Sequence, residues 1–101
     1  MIKLYFPYKS DKPKKKYFII TNELKSVYFG DTAYEHYTEG HLDENRRHLY
    51  EMRHMKREDW NNPNTAAYWS FWYLWRFKTF KEAMKFIKKD LKKINLNLKN
   101  I

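Results

Sequence analysis

The stretch TAAYWSFWYLWRF, residues 65–77, places seven aromatic rings in a chain that carries a formal net charge of +9. It is shorter than the roughly 20 apolar residues that span a bilayer, and Arg76 interrupts it. A helix that is apolar all round belongs inside a protein, whereas surfaces that stack nucleic-acid bases usually present two or three rings on a sheet. We therefore predict that Asn64 or Thr65 caps a helix here and that this helix forms the centre of a small core.

Polar residues on both sides of this segment predict two further helices. Asp43 is placed to cap a helix that runs to about Arg57, and the stretch EDWNNPNT (58–65) breaks it. After the central helix, Thr79 and Glu82 form a capping box that opens the last helix. The last helix carries one apolar stripe at helical spacing, made of Phe80, Ala83, Met84, Ile87, Leu91 and Ile94.

The first third of the chain carries strand patterns instead. YFIIT (17–21) and KSVYFG (25–30) are rich in β-branched and aromatic residues, and their short separation predicts a β-hairpin closed off at Gly30. Because a lone hairpin is only marginally stable, pairing with residues 2–6 would complete a small antiparallel sheet, and residues 9–16 would form a basic loop. We therefore predict an α+β fold with an N-terminal β-hairpin or three-strand sheet, followed by three helices of which the aromatic one is central.

Length and composition bound the architecture and the compartment. A chain of 101 residues is predicted to form a single domain over 1–101, with a frayed tail at 95–101. It contains no cysteine, so no disulfide and no thiolate metal site is possible, which fits the interior of a cell or a virion. The N-terminal stretch lacks the apolar core of a secretory signal. No segment is predicted to span a membrane.

The positive charge is concentrated at the two ends of the chain. Residues 1–20 hold six Lys and one Asp, and residues 78–101 hold eight Lys and two acidic residues. Such a balance predicts attraction to nucleic acid, to acidic proteins or to an anionic membrane surface. A row of Lys on an exposed helix face is usually only solvated, but seven Lys with two acids nearby exceed what solubility requires. The lysines predicted to bind a polyanion are Lys14, Lys15, Lys16, Lys81, Lys85, Lys88 and Lys92.

The arginines form a second, separate pattern. All five lie between positions 46 and 76, although Lys outnumbers Arg 16 to 5. Arg46, Arg53 and Arg57 share one helix face with Tyr50 and His54. One interpretation is a solvated face with ion pairs inside the helix, and the other is recognition of phosphate or carboxylate by forked guanidinium groups. Three residues supply a thin apolar side to this helix, Leu49, Met52 and Met55.

The sequence offers little support for catalysis. His48 and His54 point to different helix faces, and the four histidines (His36, His41, His48 and His54) are interpreted as surface or capping residues rather than zinc ligands. No nucleophile elbow, zinc-protease motif or phosphate-binding glycine loop is present in the sequence. We predict no cofactor, no metal and no enzymatic activity. A small metal-dependent nuclease built on His41, Asp43 and His54 stays open as an alternative.

A spaced pattern runs through the middle of the chain: VYFG (27–30), Tyr34, YT (37–38), His41, Asp43, Arg46, Tyr50, RH (53–54), Trp60 and TAAYWSFWYLW (65–75). Over roughly residues 25–90 this pattern resembles a family of small basic proteins encoded by large eukaryotic (nucleocytoplasmic) DNA viruses. The chain departs from that family at Ala67, where Gly is common, and at Phe71, where Arg is common. The resemblance implies a viral setting but no catalytic residues, because the family has no assigned activity.

Two functions remain after these exclusions. The first is a non-enzymatic, nucleic-acid-associated viral protein that binds the phosphate backbone through its Lys and Arg faces without base specificity. The alternative is a structural virion component, such as a minor capsid protein, whose basic segments dock on acidic viral neighbours. Either would act in the virion or in the interior of the host cell, in the cytoplasm or a viral factory.

Overall fold

The computed structural model of the chain describes residues 3–33, 35–56 and 58–93. Within them, a three-strand antiparallel sheet precedes three helices, which confirms the predicted α+β fold. The predicted frayed tail (95–101), Arg57 and Ile94 lie outside the described residues. The strands are β1 (Tyr8–Lys9), β2 (Lys15–Ile20) and β3 (Ser26–Asp31), and the helices are α1 (Glu44–His54), α2 (Ala66–Trp69, continued by a π-helical segment, Ser70–Trp75) and α3 (Phe80–Lys93).

The sheet has the order β1-β2-β3, and its third strand is not where the sequence analysis placed it. Tyr8 and Lys9 pair with β2, whereas residues 2–6 were expected to do so. The reason is Tyr5, whose positive φ of 53° turns the chain and whose ring is fully buried. Its hydroxyl donates to Asn64 Oδ1 at 2.6 Å, and its backbone N donates to Ile20 O at 2.9 Å, so Tyr5 is tied to the end of β2 but the third strand is formed by Tyr8 and Lys9.

The pairing of β2 with β3 also shortens the predicted basic loop. Lys15 lies opposite Asp31 in the register, so the hairpin continues to the start of β2. Of the residues 9–16 expected in a loop, Lys9 belongs to β1, and Lys15 and Lys16 belong to β2. The connection between β1 and β2 is therefore limited to residues 10–14.

The two faces of the sheet are different. Ile19 and Phe29 are buried and face the helices. On the opposite face, the ring of Phe18 lies between those of Tyr8 and Tyr28, with centroid distances of 5.8 and 5.3 Å. Such cross-strand aromatic pairs stabilise a small sheet by a few tenths of a kcal/mol to about 1 kcal/mol each.

The aromatic stretch forms the central helix, by which we mean α2 together with its π-helical continuation (66–75). Thr65 caps it, since its Oγ1 accepts a hydrogen bond from Tyr68 N at 3.3 Å. Tyr68, Trp69 and Leu74 are fully buried, which confirms the prediction of a core helix. The π-helical turn, closed by Arg76 N donating to Phe71 O at 2.9 Å, was not anticipated.

Each side of the central helix contacts a different part of the fold, which explains why it is apolar all round. The contacting rings are Trp69 with Phe29 of β3 (6.0 Å between centroids), Phe71 with Trp60 of the preceding connection (3.8 Å), Trp72 with Phe86 of α3 (4.3 Å) and Trp75 with Tyr50 of α1 (4.5 Å). In the described part of the chain, no helix combines the length and apolarity needed to cross a membrane.

Helix α3 follows its sequence signals closely. Glu82 N donates to Thr79 Oγ1 at 3.1 Å, as the capping box predicts. Ala83, Ile87 and Leu91 are buried, so the predicted apolar stripe faces the core. The lysines of α3 lie on its opposite, exposed face.

Helix α1 begins after Asp43, whose carboxylate accepts from Asn45 N and Arg46 N, as predicted. Its orientation differs from that of a common amphipathic helix, because its buried residue is Tyr50. The thin apolar side faces solvent instead: the exposed fractions of Leu49, Met52 and Met55 are 57%, 57% and 59%.

Arg47 attaches α1 to the rest of the fold. Its guanidinium lies 2.7 Å from Glu44 Oε2, donates to Arg76 O at 3.2 Å and sits 4.9 Å from the centre of the Tyr37 ring. Arg47 thus joins α1 to the end of the central helix and to the short π-helical turn at Tyr37–His41.

Candidate functional site

The lysine face is the exposed side of α3 formed by Lys81, Lys85, Lys88 and Lys92. None of the four forms an ion pair with any residue in the described ranges. Asp90 of the same helix accepts a hydrogen bond from the Tyr68 hydroxyl at 2.7 Å, so this acid is drawn toward the central helix. Glu82, the other acid of α3, forms no ion pair with the four lysines either, so their positive charge is largely uncompensated within the described residues.

The three consecutive lysines at 14–16 differ in their exposure and in their contacts. Lys14 is exposed in the turn, and Lys15 is exposed at the first position of β2. Lys16 is half-buried, and its Nζ lies 2.8 Å from His36 Nδ1. Lys15 and Lys16 therefore lie in β2 rather than in the predicted basic loop (9–16), and Lys14 precedes the strand.

The histidine side chains that the structure describes have separate surroundings. His36 is buried rather than on the surface, with its ring 5.7 Å from that of Trp75, which corrects the sequence interpretation. His54 Nδ1 lies 2.8 Å from Glu58 Oε1. Asp43 is occupied in capping α1. Across residues 3–33, 35–56 and 58–93, no three His, Cys, Asp or Glu residues cluster as metal ligands do.

Arg46 and Arg53 line a cleft of about 620 Å³, which we call the arginine cleft. It lies where α1, the adjacent ends of β2 and β3, and the start of the central helix meet. Lys15 and Asp31 border it on the sheet side. The cleft thus brings together Arg46, Arg53 and Lys15, three of the residues that the sequence predicts to bind a polyanion. The lysine face of α3 does not line the cleft, and Arg57 lies outside the described residues.

The charges around the arginine cleft are not balanced. Glu58 is occupied on both oxygens, with Oε1 at His54 and Oε2 accepting from Trp60 Nε1 at 3.1 Å. Lys15 and Asp31 are direct cross-strand neighbours, and opposite charges in that position offset one another. Arg46 makes only a long hydrogen bond, from its guanidinium to Glu35 O at 3.4 Å. Neither Arg46 nor Arg53 has a carboxylate partner among the described residues.

The floor of the cleft is made of small residues and is apolar except for Ser70. Ala66, Ala67 and Ser70 of the central helix line it, together with Gly30 of β3. Gly30 has a φ of +81°, and a Cβ there would lie 3.0 Å from Leu74 Cδ1. Glycine therefore lets the end of β3 turn and approach the central helix closely.

Tyr50 forms the aromatic wall of the cleft. Its ring is stacked between those of His54, at 4.3 Å, and Trp75, at 4.5 Å. Burial raises the pKa of Tyr50 well above its usual value of 10.0, so the hydroxyl stays protonated at neutral pH. The Tyr50 hydroxyl is thus neutral, and the positive charge of the cleft that has no cross-strand partner comes from Arg46 and Arg53.

Sequence reasoning missed the residues that the tertiary fold adds to this site. The floor residues Ala66, Ala67 and Ser70 looked like packing positions, and nothing in their spacing relates them to Arg46. The structural role of Arg47 was also missed, although Glu44 and Glu51 at i−3 and i+4 do signal its ion pairs.

Comparison with known proteins finds a similarity to one family over part of the chain, and it adds no activity. The pattern of a family described as a family of unknown function (DUF5754) matches residues 8–54. The matched stretch contains the three strands and α1, and therefore Lys15, Asp31, Arg46 and Arg53, whereas the central helix and α3 follow it. No curated protein and no solved structure matches the chain. The first half of the chain is similar to this family, and that similarity assigns no function to the arginine cleft.

Proposed function

We propose that this chain is a non-enzymatic, nucleic-acid-associated protein of a large DNA virus that binds the phosphate backbone without base specificity. The observation that supports this proposal is the lysine face of α3. Its four lysines are exposed, share one side of a helix and have no ion-pair partner among the described residues. Lys14 and Lys15, which are also exposed, are secondary candidates for contact.

The length of the lysine face suits a nucleic-acid backbone. Lys81 and Lys92 are separated by about 16 Å along the helix axis, at 1.5 Å per residue. Duplex DNA carries one charge per about 1.7 Å of its axis, so the row faces several phosphates at once. Ammonium groups that contact phosphates carry no information about sequence, and we expect similar affinities for different sequences.

The salt dependence of binding tests this function. Log affinity for a fluorescent duplex should fall linearly with log salt, with a slope of about 4–6, since each neutralised phosphate contributes about 0.9. Changing Lys81, Lys85, Lys88 and Lys92 to Gln should lower the slope by about 3. The melting temperature should stay close to that of the parent, because all four side chains are exposed.

A matched control separates the lysine face from net charge alone. The quadruple Gln variant of Lys3, Lys25, Lys56 and Lys78 removes the same charge from exposed positions elsewhere. This control variant should keep most of the slope of log affinity against log salt that the parent shows. If both quadruple variants lose equal affinity, the lysine face has no special role. If neither duplex nor single-stranded DNA binds at about 50 mM salt, the nucleic-acid proposal is wrong.

A specific observation favours the second candidate function, a structural virion component. Leu49, Met52 and Met55 expose more than half of their surface along one side of α1. Binding a phosphate backbone does not require an exposed apolar strip, whereas a protein contact would bury it. In this alternative, the basic segments dock on acidic neighbours, and the lysine-face variant disturbs assembly rather than DNA binding.

The proposed setting is the virion or the interior of an infected cell, and it is supported by the sequence resemblance alone. Mass spectrometry of purified virions, separated into capsid and core fractions, tests it directly. Recovery with the core supports the nucleic-acid function, and recovery with the capsid supports the structural one. Absence from both fractions would argue against a virion role.

A further inference from the structure

We propose that the arginine cleft binds a nucleoside phosphate, with the phosphate held by Arg46 and Arg53 and the base placed against the apolar floor. This inference goes beyond backbone binding, because the cleft and the lysine face of α3 share no residue. It concerns one ligand chemistry with two sources: a free nucleotide, or an unpaired nucleotide of a bound strand.

The charge of the cleft points to an anion. Arg46 and Arg53 both border the cleft, and neither has a carboxylate partner within the described chain. Glu58, whose carboxylate also lines the cleft, is already bound by His54 and Trp60. A guanidinium presents two parallel N–H donors that match the oxygens of phosphate, which makes arginine suited to this ligand.

The shape and lining of the cleft point to a ring attached to that anion. Its volume of about 620 Å³ lies within the range of about 300–1,000 Å³ for small-molecule sites. Leu49, Ala66 and Ala67 provide apolar surface, and Phe29 and Trp75 border it with aromatic rings. An inorganic phosphate would leave this surface exposed, whereas a base attached to the phosphate would cover it.

One polar group on the floor is available to the polar edge of a base. The Ser70 hydroxyl is half-buried, lines the cleft and makes no hydrogen bond with the described residues. A hydroxyl both donates and accepts, so it can pair with either a ring nitrogen or an exocyclic group. Asp31 adds an acceptor at the sheet side of the cleft.

The backbone of the central helix supports a binding role here. Ser70 and Trp75 are the first and last residues of the π-helical segment, and both line the cleft. A π-helical turn is rare and less favourable than an α-helical one, and such turns frequently occur at functional sites.

Calorimetric titration tests the proposal with three probes: adenosine monophosphate, adenosine and inorganic phosphate. The monophosphate should bind more tightly than either of its parts. The double variant Arg46→Gln, Arg53→Gln should weaken monophosphate binding at least about tenfold. Its melting temperature should match that of the parent, since both arginines are exposed.

Two further variants separate charge from shape. Lys56→Gln, Lys78→Gln removes the same charge from exposed positions outside the cleft and should leave monophosphate binding unchanged. Ala66→Leu fills the floor without touching the arginines. This variant should lower the affinity for adenosine monophosphate while leaving the affinity for inorganic phosphate unchanged.

The lysine-face variant of α3 makes the two proposals independent. It should bind adenosine monophosphate like the parent. Loss of duplex binding in this variant is therefore no evidence against nucleotide binding in the arginine cleft. In the same background, an oligonucleotide of eight thymidines distinguishes the two sources. If the oligonucleotide binds through Arg46 and Arg53 and the monophosphate does not, the ligand is an unpaired nucleotide of a strand.

Two results would overturn the proposal. One is binding of inorganic phosphate as tight as that of adenosine monophosphate, which would leave no role for the base. The other is that neither the monophosphate nor the oligonucleotide responds to the arginine double variant. Duplex binding that persists in either case would leave the function of the lysine face intact.

Discussion

The rings of Tyr50 and Trp75 lie parallel, with 4.5 Å between their centroids and 7° between their planes. Tyr50 is the buried residue of α1, so this stack attaches the helix that carries Arg46 and Arg53 to the central helix. The side of the ring away from Trp75 is covered by His54, at 4.3 Å. The geometry of the arginine cleft therefore depends on a contact between residues 25 positions apart in the chain.

Replacing Tyr50 with Ala should lower the free energy of unfolding by about 3 kcal/mol or more, because a buried ring and its stacking partners are lost. Urea unfolding measures the change. Tyr50→Phe keeps the stack and removes a hydroxyl for which the described residues provide no hydrogen bond, so it should alter stability by less than about 1 kcal/mol. Equal unfolding of Tyr50→Ala and the parent would show that the stack does not hold α1.

Trp69→Ala should cost about 3–5 kcal/mol of stability, the range for removing a large buried ring. Trp69 is fully buried, and its Nε1 donates to Pro63 O at 2.8 Å. Thermal melting is the measurement, with the exposed Leu49→Ala as the control that should change stability by less than about 0.5 kcal/mol. Similar melting of the two variants would mean that the aromatic helix is on the surface.

Arg47 and Arg53 lie on the same helix and should respond differently to Ala. Arg47→Ala removes two ion pairs, a hydrogen bond to a carbonyl and a cation–π contact, and should cost about 1–2 kcal/mol. Arg53→Ala should stay within about 0.5 kcal/mol, since its side chain is exposed. Chemical denaturation compares the two. A larger loss for Arg53 would contradict the assignment of Arg47 as the structural arginine and Arg53 as the ligand-binding one.

Stability should fall at alkaline pH, partly because of Tyr73. Burial, with a smaller contribution from Tyr17, raises the pKa of Tyr73 from 10.0 to about 12. Between these values the unfolded chain has already lost the phenolic proton while the folded protein keeps it. The stabilisation is therefore complete below the unfolded pKa and is lost as pH rises through the folded pKa.

The variant Tyr73→Phe has no such proton and provides the comparison. Urea unfolding of parent and variant at neutral pH and at about pH 11 should show that the variant loses about 1 kcal/mol less stability on going to the higher pH. Equal losses would indicate that Tyr73 ionises as readily in the folded protein as in the unfolded chain.

Signals that act within a few residues were predictable from the sequence. The caps of α1, α2 and α3 at Asp43, Thr65 and Thr79 each follow from one side chain that accepts a hydrogen bond two or three residues ahead. The hairpin of β2 and β3 follows from two β-branched and aromatic runs close together in the chain. These features depend on local backbone chemistry, so distant contacts did not change them.

Predictions that depend on distant contacts were less successful. The third strand was predicted within residues 2–6 but lies at Tyr8 and Lys9, because Tyr5, which makes one backbone hydrogen bond to β2, turns its ring inward to meet Asn64, 59 positions away. His36 is buried because the fold brings Lys16 and Trp75 to it. Neither relationship has a periodicity or a motif that sequence inspection can detect.

The sequence by itself determined the α+β fold, the helix caps, the core role of the aromatic stretch and the exposed lysines of α3. Each of these follows from local hydrogen bonding or from the placement of apolar residues at helical or strand spacing. Only the tertiary structure decided that Arg46 and Arg53 face a cleft, because the floor of that cleft comes from the central helix and its far wall from the sheet. Spacing along α1 shows that two arginines share a face, but what that face meets depends on how Tyr50 packs against Trp75.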